Sequence, residues 1–503
     1  MRYQRLLVIG LFISGTWLAL AAAGAGDDAA AVIEVGSSKQ LFIDDRFIES
    51  SRDVELVMNP PRRDGKVLLT TDQPWEAGRH VSVYSSVIRE NGLTKVWYDF
   101  REPTQGGPDT YKFRVCYAES ESGLQFIKPQ LDLFEVDGST ANSVVMPGAI
   151  GGCSVWIDPQ APPEHRYKNQ AKVYPSGKLH MYSSPDGLHW KLFAQIDPGP
   201  GGYDTQTIVF RDASCGRYVM YTRRWVKPES KAAWHRTVRR RESDDLLHWK
   251  NESVSIEADD IDLATHTTHT GQPPVDYYGA NVFRYAEAQD VYIMLAQPYW
   301  HWHRRDAGGL GPSTFDVRLA VSRDGKQFQR AGNRKPFMPT GPDGRFDSRF
   351  VWAMPQPIRM GNELWIYYVG MNRDHDQVLD PAAPGGNQLA GIGRAVLRLD
   401  GFISADADYS GGEITTPALR FSGTRLELNV ETSGGGSVAV EILDENHDPI
   451  PGFGREDAAE VHGNSVALPI GWRGTQDVSP LAGRVVHLRF QMQDCKLYAF
   501  QFR

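Results

Sequence analysis

At 503 residues the chain is long enough for two hydrophobic cores, and its 41% of hydrophobic and 23% of charged residues are ordinary for a folded protein. Its 49 glycines and 31 prolines are scattered, which favours many short strands joined by turns over long helices. A formal net charge of −8 argues against nucleic acid as a partner.

The first 25 residues have the pattern of a secretory signal peptide. Arg2 and Arg5 precede an apolar run from Leu6 to about Ala23, and small residues of the Ala-x-Ala type lie at its end. An uncleaved membrane anchor is the alternative, since the run approaches the length of about 18 residues that can span a bilayer. We expect cleavage, export to the periplasm or the extracellular space, and a mature protein without a membrane-spanning segment.

One seven-residue pattern recurs four times in the middle of the chain. It begins with Ser, continues through polar turn residues and ends on an aromatic residue. The copies begin at Ser120, Ser184, Ser243 and Ser322. An Asp-Gly pair after a strand makes a tight turn, and the aromatic residue three positions on packs back over it. Asp186, Asp245 and Asp324 are therefore predicted to be turn residues.

The spacing of this pattern predicts a β-propeller. The copies stand about 60 to 80 residues apart, which suits four-stranded blades with variable loops. Four blades follow one another, and the segments "VWAMPQPIRM", "ELWIYYVG" and "GIGRAVLRL" predict a fifth. Its missing strand is expected from the N-terminal "KQLFIDDRFIES", which would close the ring. We predict an all-β protein with a five-bladed propeller over residues 32–400.

After Asp400 and Gly401 the pattern of the sequence changes. Segments such as "RLELNVET", "SVAVEILD" and "VVHLRFQM" alternate strictly between apolar and polar residues and are separated by Gly, Asp and Pro turns. Alternation with a period of two is typical of strands that have one buried face. We predict a small β-sandwich with its own core over residues 401–503.

Metal ligands are sparse in this sequence. The four cysteines are far apart and form no C-x-x-C pair, so zinc and thioredoxin-like sites are not indicated. His266 and His269 lie three residues apart, and His301 and His303 lie on one face of a strand. Either pair could ligate a transition metal only with a third residue. We therefore predict no metal site and no cofactor.

A five-bladed propeller followed by a β-sandwich, with turns of the S-x-D-x-x-H-W type, resembles glycoside hydrolases of families 32 and 43. The segments "LFIDDRFIE", "YDTQTIVFRD", "RYVMYTRRW", "SSPDGLHW" and "KLYAFQF" look like a group of exported bacterial proteins described as family-32-like. The resemblance covers nearly all of the mature chain and implies a propeller that hydrolyses glycosidic bonds. The family-32 motif W-x-N-D-P-N-G and its Glu-Cys acid have no counterpart here, and R-D-P is matched only at Ile157-Asp158-Pro159.

Hydrolysis of a glycosidic bond usually takes two carboxyl groups that flank it. In a propeller these groups should lie at the mouth of the central channel, where inner strands start. Asp204 precedes the inner strand "TQTIVF", and Asp347 lies in the corresponding loop before the fifth blade. Glu76 lies in the loop before the first blade, where the indole of the adjacent tryptophan would disfavour its charged form, as a general acid requires. Asp45, in the expected closing strand, completes the predicted acids; the alternative for each is a turn, capping or surface role.

Binding groups are predicted from the ends of the second strands, which are rich in Arg, His and aromatic residues. Aromatic faces stack on sugar rings, and Arg offers a planar fork to hydroxyl or carboxylate groups. The alternative is a ring of structural ion pairs and core aromatic residues. The predicted binding residues are His80, Arg101, Arg224, Trp225, Tyr299, His301, Asn372 and Arg373.

Three functions are compatible with these features. The first is an exported glycoside hydrolase that acts on a poly- or oligosaccharide, and the second is a non-catalytic carbohydrate-binding propeller. A third, a scaffold for protein partners, predicts a channel mouth that is poorer in Arg and Trp. Two carboxyl groups about 5 to 10 Å apart across a pocket would favour hydrolysis over binding.

Overall fold

The structure is a computed structural model that describes residues 32–77, 79–102, 112–146, 148, 150–173, 177–197, 203, 205–226, 235–265, 273–302, 313–375 and 390–503. The predicted signal peptide lies outside these residues. As predicted, the described chain is nearly all β, with one short α-helix, α1 (Asp260–Leu263). No helix in those ranges is long and apolar enough to cross a membrane.

The strands follow one another along the whole described chain. The N-terminal strands are β1 (Ile33–Gly36), β2 (Gln40–Leu41), β3 (Ser50–Arg52), β4 (Val54–Met58) and β5 (Arg62–Arg63). The next are β6 (His80–Val81), β7 (Ser86–Glu90), β8 (Leu93–Glu102), β9 (Lys112–Ser120), β10 (Val144–Met146), β11 (Ile150–Ile157), β12 (Tyr167–Val173), β13 (Leu179–Ser184) and β14 (Lys191–Ile196). Then follow β15 (Ile208–Asp212), β16 (Arg217–Val226), β17 (His235–Ser243), β18 (Lys250–Ile256), β19 (Val275–Arg284), β20 (Tyr292–His301), β21 (Ser313–Phe315), β22 (Arg318–Ser322) and β23 (Gln329–Arg330). The last are β24 (Phe350–Ala353), β25 (Ile358–Met360), β26 (Glu363–Met371), β27 (Ala390–Arg398), β28 (Ile403–Ala407), β29 (Gly412–Thr415), β30 (Leu419–Phe421), β31 (Leu426–Leu443), β32 (Asn464–Pro469) and β33 (Val485–Phe502).

Short 3-10 turns separate some of these strands in the described residues. They span Asp45–Phe47, Pro74–Glu76, Pro163–His165, Gly332–Arg334 and Ser479–Leu481.

The described strands form five sheets. The first sheet contains β6–β10, the second β11–β14 and the third β15–β18. A ten-stranded sheet contains β5 and β19–β27, and the parallel pairing of β21 with β24 joins its two antiparallel parts. We refer to the part with β19, β20, β22 and β23 as the fourth part, and to the part with β24–β27 and β5 as the fifth part. The other ten strands, β1–β4 and β28–β33, form the C-terminal sheet.

The first, second and third sheets and the fourth and fifth parts are five units, and each is hydrogen-bonded to the next so that together they form a ring. Polar side chains of one unit reach the backbone or hydroxyl groups of its neighbour, so each unit fixes the next. The bonds from the first unit around to the fifth and back are Val155 N to Ser86 Oγ (2.9 Å), Gln170 Nε2 to Thr207 O (2.7 Å), Tyr221 Oη to Gly325 O, Asn281 Nδ2 to Ala353 O, and Tyr367 Oη to Gly123 O (2.8 Å).

Gln206 marks the axis of this ring. Its Nε2 donates to Ser85 O at 2.9 Å and to Cys153 O at 2.8 Å, and its Oε1 accepts from Trp352 Nε1 at 3.2 Å. These partners belong to the first, second and fifth units, whereas Gln206 leads into the third. The buried side chain therefore lies where the inner strands converge, which is the arrangement expected of a propeller. The predicted count of five blades stays a prediction at this point.

The strand that completes the fifth part is not the predicted one. Arg62 and Arg63 of β5 pair with Val396 and Ala395 of β27, whereas the "KQLFIDDRFIES" segment pairs through β2 with β33 of the C-terminal sheet. The expectation that this segment closes the ring is wrong. Its apolar side chains are buried on both sides: Phe42 and Phe47 pack in the C-terminal core, and Leu41 and Ile43 pack in the core of the ring. The outermost strand of a blade offers only one buried face, so such a segment fits between two bodies better.

The C-terminal sheet is built on two 18-residue strands, β31 and β33, which pair antiparallel with a register shift between Thr432 and Ser437. Along the other edge of β33 lie β30, β29, β28 and β2, and β3 and β4 extend the sheet through β29 and β28. The N-terminal residues 33–58 are thus part of this sheet. The division into domains at Asp400, and the sandwich, stay predictions.

The recurring motif forms the predicted turns. Asp186 Oδ1 accepts from the backbone N–H groups of Leu188 and His189, at 2.8 and 2.9 Å. Asp245 and Asp324 accept from the equivalent backbone groups in their own turns. The assignment of these aspartates to turn chemistry is therefore confirmed.

All four cysteines are free thiols. Cys116, Cys153 and Cys495 are buried, and Cys215 is exposed.

Candidate functional site

Aromatic side chains converge at one end of the ring axis. The second strands of the third sheet and of the fourth and fifth parts, which are β16, β20 and β26, end here. The inner strands β19 and β24 run antiparallel to β20 and β26 and start at the same level, so Asp276 lies opposite Tyr299 and Phe350 opposite Met371. Tyr299 stacks on Phe315 with ring centroids 4.7 Å apart. We call the set the aromatic cluster: Tyr278, Tyr299, Phe315, Phe350, Trp352 and His375.

A buried guanidinium is held beside this cluster. Arg236, the second residue of β17, lies 4.2 Å from the ring centroid of Trp225, 4.8 Å from that of Tyr278 and 5.0 Å from that of Tyr299. Its Nη1 donates to Asp276 Oδ2 at 2.9 Å, and its backbone N–H donates to the same oxygen at 3.1 Å. Attraction by aromatic faces and by a carboxylate thus fixes this cation in one position.

The Arg236–Asp276 pair is ionised. Burial acts to raise the pKa of Asp276, but Arg236 and then His301 outweigh it and hold that pKa below its usual range. The pKa of Arg236 is raised, because attraction to Asp276 outweighs burial. His301 Nε2 lies 3.5 Å from Asp276 Oδ1 and continues the row of polar groups toward the end of β20.

A second guanidinium lies on the same aromatic faces. Arg223 is 5.6 Å from the ring centroid of Trp225 and 5.3 Å from that of Tyr278. Trp225 is half-buried, whereas Arg223 and Arg236 are nearly covered. The Trp225 indole is therefore the partly exposed side chain of this stack, and the two guanidinium groups lie beneath it.

A histidine–arginine contact lies at the ends of the first sheet and the fifth part. Arg373 Nη2 donates to His80 Nε2 at 2.5 Å, so Nε2 carries no proton. Burial lowers the pKa of Arg373 to about 10. Both side chains are less than 10% exposed, so the contact is fixed.

The predicted acid Glu76 lies in the protein interior. Its Oε2 accepts from Lys128 Nζ at 2.6 Å and from the backbone N–H groups of Asp72 and Gln73 at 3.1 Å each. Its Oε1 accepts from Tyr98 Oη at 2.6 Å. With both oxygens engaged and no exposed surface, this carboxylate fastens the loop before the first sheet to β8.

Asp347 and Asp45 occupy different places from Glu76 and from each other. Asp347 is 3% exposed, and its Oδ2 accepts from Arg63 Nη1 at 2.8 Å and from Tyr368 Oη at 2.9 Å, so it joins β5 to β26 within the fifth part. Asp45 is exposed in the 3-10 turn of the N-terminal segment. No hydrogen bond or ion pair between described atoms joins any two of these three acids. Asp204 lies outside the described residues; its neighbours Tyr203 and Thr205 are each 2% exposed.

Three of the predicted binding residues, Trp225, Tyr299 and His301, come together around Arg236, and His80 and Arg373 form the second contact. Asn372 is half-buried next to Arg373. Arg224 instead pairs with Glu252, at 3.2 Å. The side chain of Arg101 lies outside what the structure describes, and its backbone pairs with that of His80.

Sequence reasoning missed Arg236, Asp276, Arg223 and Tyr278. Trp225 pairs with Arg236 across β16 and β17, so the start of the third strand lies at the level where the second strand ends. The "HRTVRRRES" and "VDYYG" segments thus begin at the level where the second strands end, which is where the binding residues were predicted. Examination of the third strands, and not only of the second, would have found Arg236.

A cavity of about 180 Å³ lies between the third sheet and the fourth part. Three of its four charged lining residues bond to one another: Asp262 Oδ2 accepts from Arg330 Nη2 at 2.8 Å, and Asp262 Oδ1 accepts from Arg334 Nη1 at 2.7 Å. The fourth, Arg318, donates to Asp316. The remaining lining is mainly apolar. We place the candidate site at the aromatic cluster, because there the ends of strands from several units converge on the ring axis and present cations and aromatic faces together.

No protein-family model and no curated protein sequence matches this chain. Solved structures similar to it include a β-1,2-mannobiose phosphorylase from Listeria innocua in complex with β-1,2-mannobiose, with 12% identity and a TM-score of 0.46 over 68% of this chain and 97% of that one. A glycosyl hydrolase from Bacteroides ovatus is 14% identical, with a TM-score of 0.43 over 74% of this chain and 96% of that one. A thermostable family-43 glycoside hydrolase is 15% identical, with a TM-score of 0.38 over 66% of this chain and 91% of that one.

Proposed function

We propose that the protein is an exported glycoside hydrolase with a five-bladed propeller, and that it cleaves a poly- or oligosaccharide at the aromatic end of the ring axis. The observation that carries this proposal is the fixed Arg236 guanidinium among Trp225, Tyr278 and Tyr299. A sugar ring has apolar faces and a polar edge, so it suits a surface that offers aromatic faces next to a held cation.

The half-buried residues set where a sugar would bind. Trp225, Asn372 and His375 keep part of their surface exposed, whereas Arg236 and Tyr299 behind them are covered. The exposed residues contact the substrate in this proposal, and the covered Arg236 and Tyr299 hold Trp225 and His375 in place. Ordered groups lose little freedom when a ligand binds, which favours affinity.

Asp204 and Asp99 are the acids that we assign to the reaction. Asp99 is fully buried on β8, and burial together with its charge holds the pKa of the Cys153 thiol well above the usual range. Cys153 O in turn accepts from Gln206, so Asp99 lies close to the axis, and Asp204 precedes Gln206 by two residues. One carboxyl group would protonate the leaving oxygen, and the other would act as base or nucleophile.

The first experiment is a release assay on a panel of polysaccharides and aryl glycosides, with the wild type, Asp204→Asn, Asp99→Asn and the turn variant Asp324→Asn. Loss of a general acid or base lowers kcat by about 100-fold or more, so we expect release to fall that far in the first two variants only. Circular dichroism and thermal unfolding check that each variant is folded. Unchanged release by folded Asp204→Asn would contradict the proposal.

A non-catalytic carbohydrate-binding protein is the second candidate. The observation in its favour is that Glu76 and Asp347 are both engaged in buried ion pairs and so are not arranged as a free acid and base. This function predicts that the wild type binds a sugar of the panel in calorimetry and releases none. Trp225→Ala should weaken binding under both proposals, and Trp190→Ala, in the turn between β13 and β14 of the second sheet, is the matched control, since this tryptophan is also half-buried.

A further inference from the structure

Two histidines and a glutamate from distant parts of the sequence meet on the C-terminal sheet. Glu49 follows the 3-10 turn of the N-terminal segment, His447 lies in the turn after β31, and His487 lies near the start of β33. One ligand atom from each side chain lies within 4.8 Å of the other two. The ring centroids of His447 and His487 are 4.0 Å apart.

The polar contacts inside this group are close. His447 Nε2 lies 2.7 Å from Glu49 Oε2, and His487 Nδ1 lies 3.6 Å from the same oxygen. In a tetrahedral zinc site, bond lengths of about 2.0–2.1 Å place neighbouring ligand atoms roughly 3.3 Å apart. The distance between His447 Nε2 and Glu49 Oε2 is shorter than that value, so these two atoms need to move apart by less than an ångström to admit an ion.

The second histidine has the hydrogen bond that metal-ligating histidines have. His487 is 4% exposed, and its Nδ1 lies 2.7 Å from the backbone oxygen of Thr416. An N–H that donates to a backbone carbonyl fixes the tautomer, so Nδ1 carries the proton and Nε2, which keeps its lone pair, is the ligand atom of His487. A buried imidazole held in this way is oriented by the protein rather than by solvent.

The backbone at His447 adopts a conformation that such a residue seldom takes. Its φ is +65°, in the left-handed region, and its N–H donates to Asp444 O at 3.0 Å in a tight turn. A non-glycine residue in this region costs about 1–2 kcal/mol. The turn therefore holds the imidazole over Glu49 at some cost in stability.

We propose that Glu49, His447 and His487 bind a divalent transition-metal ion, Zn²⁺ or one of similar chemistry, and that within the C-terminal sheet the ion fastens the N-terminal segment to β33 and to the turn after β31. Two imidazoles and one carboxylate are a donor set that suits zinc, whereas calcium and magnesium prefer oxygen ligands alone. Glu49 and His447 are 398 residues apart along the chain, so the ion would cross-link segments that only folding brings together.

The test uses the full mature chain without a histidine tag, stripped of metal with a chelator and titrated with Zn²⁺ in a calorimeter. Glu49→Gln and His447→Asn remove one ligand each, and Asn tolerates the left-handed backbone of that turn. His462→Asn is the matched control, because this histidine lies in the same sheet region and contacts Gly436 O instead. Other histidines of the chain bind equally in all variants, so the difference between titrations reports this site.

We expect the wild type and His462→Asn to bind one more Zn²⁺ than the two ligand variants, or to bind it more than about 100-fold more tightly, since even outer contacts of a metal site are worth 10–100-fold. We also expect Zn²⁺ to raise the unfolding temperature of the wild type and the control only. Equal binding by all four proteins, or no thermal shift in the wild type, would show that the group is only an ion pair and would overturn the proposal.

Discussion

Arg236 and Asp276 carry charges into a nearly dry interior, and each depends on the other. Each side chain is less than 10% exposed, and the pair is held by two hydrogen bonds to one carboxylate oxygen. Removal of one partner from a buried pair leaves the other charge without compensation, which is far worse than loss of an exposed pair. The candidate site therefore depends on this contact for its structure as well as for its charge.

We predict that Asp276→Asn lowers the free energy of unfolding by about 3–5 kcal/mol, because it leaves the Arg236 charge buried and unpaired. Asp244→Asn, in the third sheet that carries Arg236, is the control: its pair with Lys250 is more than half exposed on both sides and its pair with Arg217 is also exposed, so about 0–1 kcal/mol is expected. Urea unfolding followed by circular dichroism measures both. Equal losses in the two variants would contradict this interpretation of Arg236.

The turn aspartates predict how stability depends on pH. Burial acts to raise the pKa of Asp186, but the backbone N–H groups of His189 and Leu188 and the side chain of His189 outweigh it and lower that pKa to about 2. The pKa of Asp324 is also lowered, since the backbone N–H of Lys326 and the Ser322 hydroxyl outweigh burial. A carboxyl group whose folded-state pKa is depressed stabilises the fold above its unfolded pKa of about 4, and this stability is lost as the pH falls through the folded value.

We therefore expect the urea midpoint of the wild type to fall between about pH 4 and pH 2. The double variant Asp186→Asn/Asp324→Asn keeps an acceptor oxygen in each turn but no titrating group, so its midpoint should be lower at pH 5 and should change less across that range. A series of urea titrations from pH 5 to pH 2 measures the two slopes. Parallel curves for both proteins would count against a role for these carboxylates.

At the scale of elements, each repeated turn is matched to the second strand of the sheet before it. Trp97 Nε1 donates to Gly187 O, and Tyr367 Oη donates to Gly123 O, each from one sheet to the turn of the next. A Cβ at Gly187 would lie 2.5 Å from the Trp97 ring. The turn needs glycine for its positive φ and also for the room that the neighbouring aromatic ring takes.

The one copy without glycine supports this account. The turn of the third sheet has Leu246 at the glycine position, with φ +67°. This turn faces β12, the second strand of the second sheet, which has Gln170 at the position that Trp97 and Tyr221 occupy in the second strands of the first and third sheets. Gln170 bonds to Thr207 instead, and the Leu246 side chain packs in the core between the second and third sheets. The smaller Gln170 on the strand is thus matched by the larger Leu246 in the turn that faces it.

We predict that Gly187→Ala lowers the free energy of unfolding by about 1–3 kcal/mol more than Gly92→Ala, because only the first forces a Cβ into an aromatic ring. The two glycines have nearly the same φ, +83° and +81°, and a Cβ at Gly92 meets nothing within 4 Å. The comparison therefore separates the contact from the backbone strain. Chemical denaturation of both variants measures the difference, and equal losses would show that strain alone fixes the turn.

These elements also show what the sequence could and could not indicate. The turn motif and the alternation of short strands predict the β class, because both are local properties. The closing strand was misassigned because the apolar run at Leu41 and Phe42 predicts a strand but not the sheet to which that strand belongs. Only the residues that these side chains contact distinguish the two possible sheets. Asp276 and Arg236 were missed for a similar reason: their contact joins residues 40 positions apart, on strands of different sheets.

For the whole molecule, Asp400 joins the ring, the N-terminal segment and the C-terminal sheet. It is fully buried, and its Oδ2 accepts from Lys39 Nζ at 2.7 Å and from Asn429 Nδ2 at 2.8 Å. Its Oδ1 accepts from Tyr285 Oη, at 2.6 Å, and burial together with Asp400 raises the pKa of that tyrosine far above its usual range. One carboxylate therefore bonds to residues from three regions of the fold.

We predict that this carboxylate makes the chain unfold as one unit. Asp400→Asn keeps the shape and tolerates the φ of +65°, but it removes the charge that Lys39 requires and turns a donor toward other donors. Loss of one partner from a buried pair costs about 3–5 kcal/mol, and here the loss falls on the contact between the ring and the C-terminal sheet. In differential scanning calorimetry we expect one transition for the wild type and, for Asp400→Asn, an earlier separate transition of the C-terminal sheet.

Asp406→Asn, whose pair with Lys496 lies within the C-terminal sheet and is partly exposed, is the control that should lower the midpoint slightly without splitting it. A single transition at an unchanged temperature in Asp400→Asn would mean that the apolar contacts of Leu41 and Phe402 alone couple the two bodies.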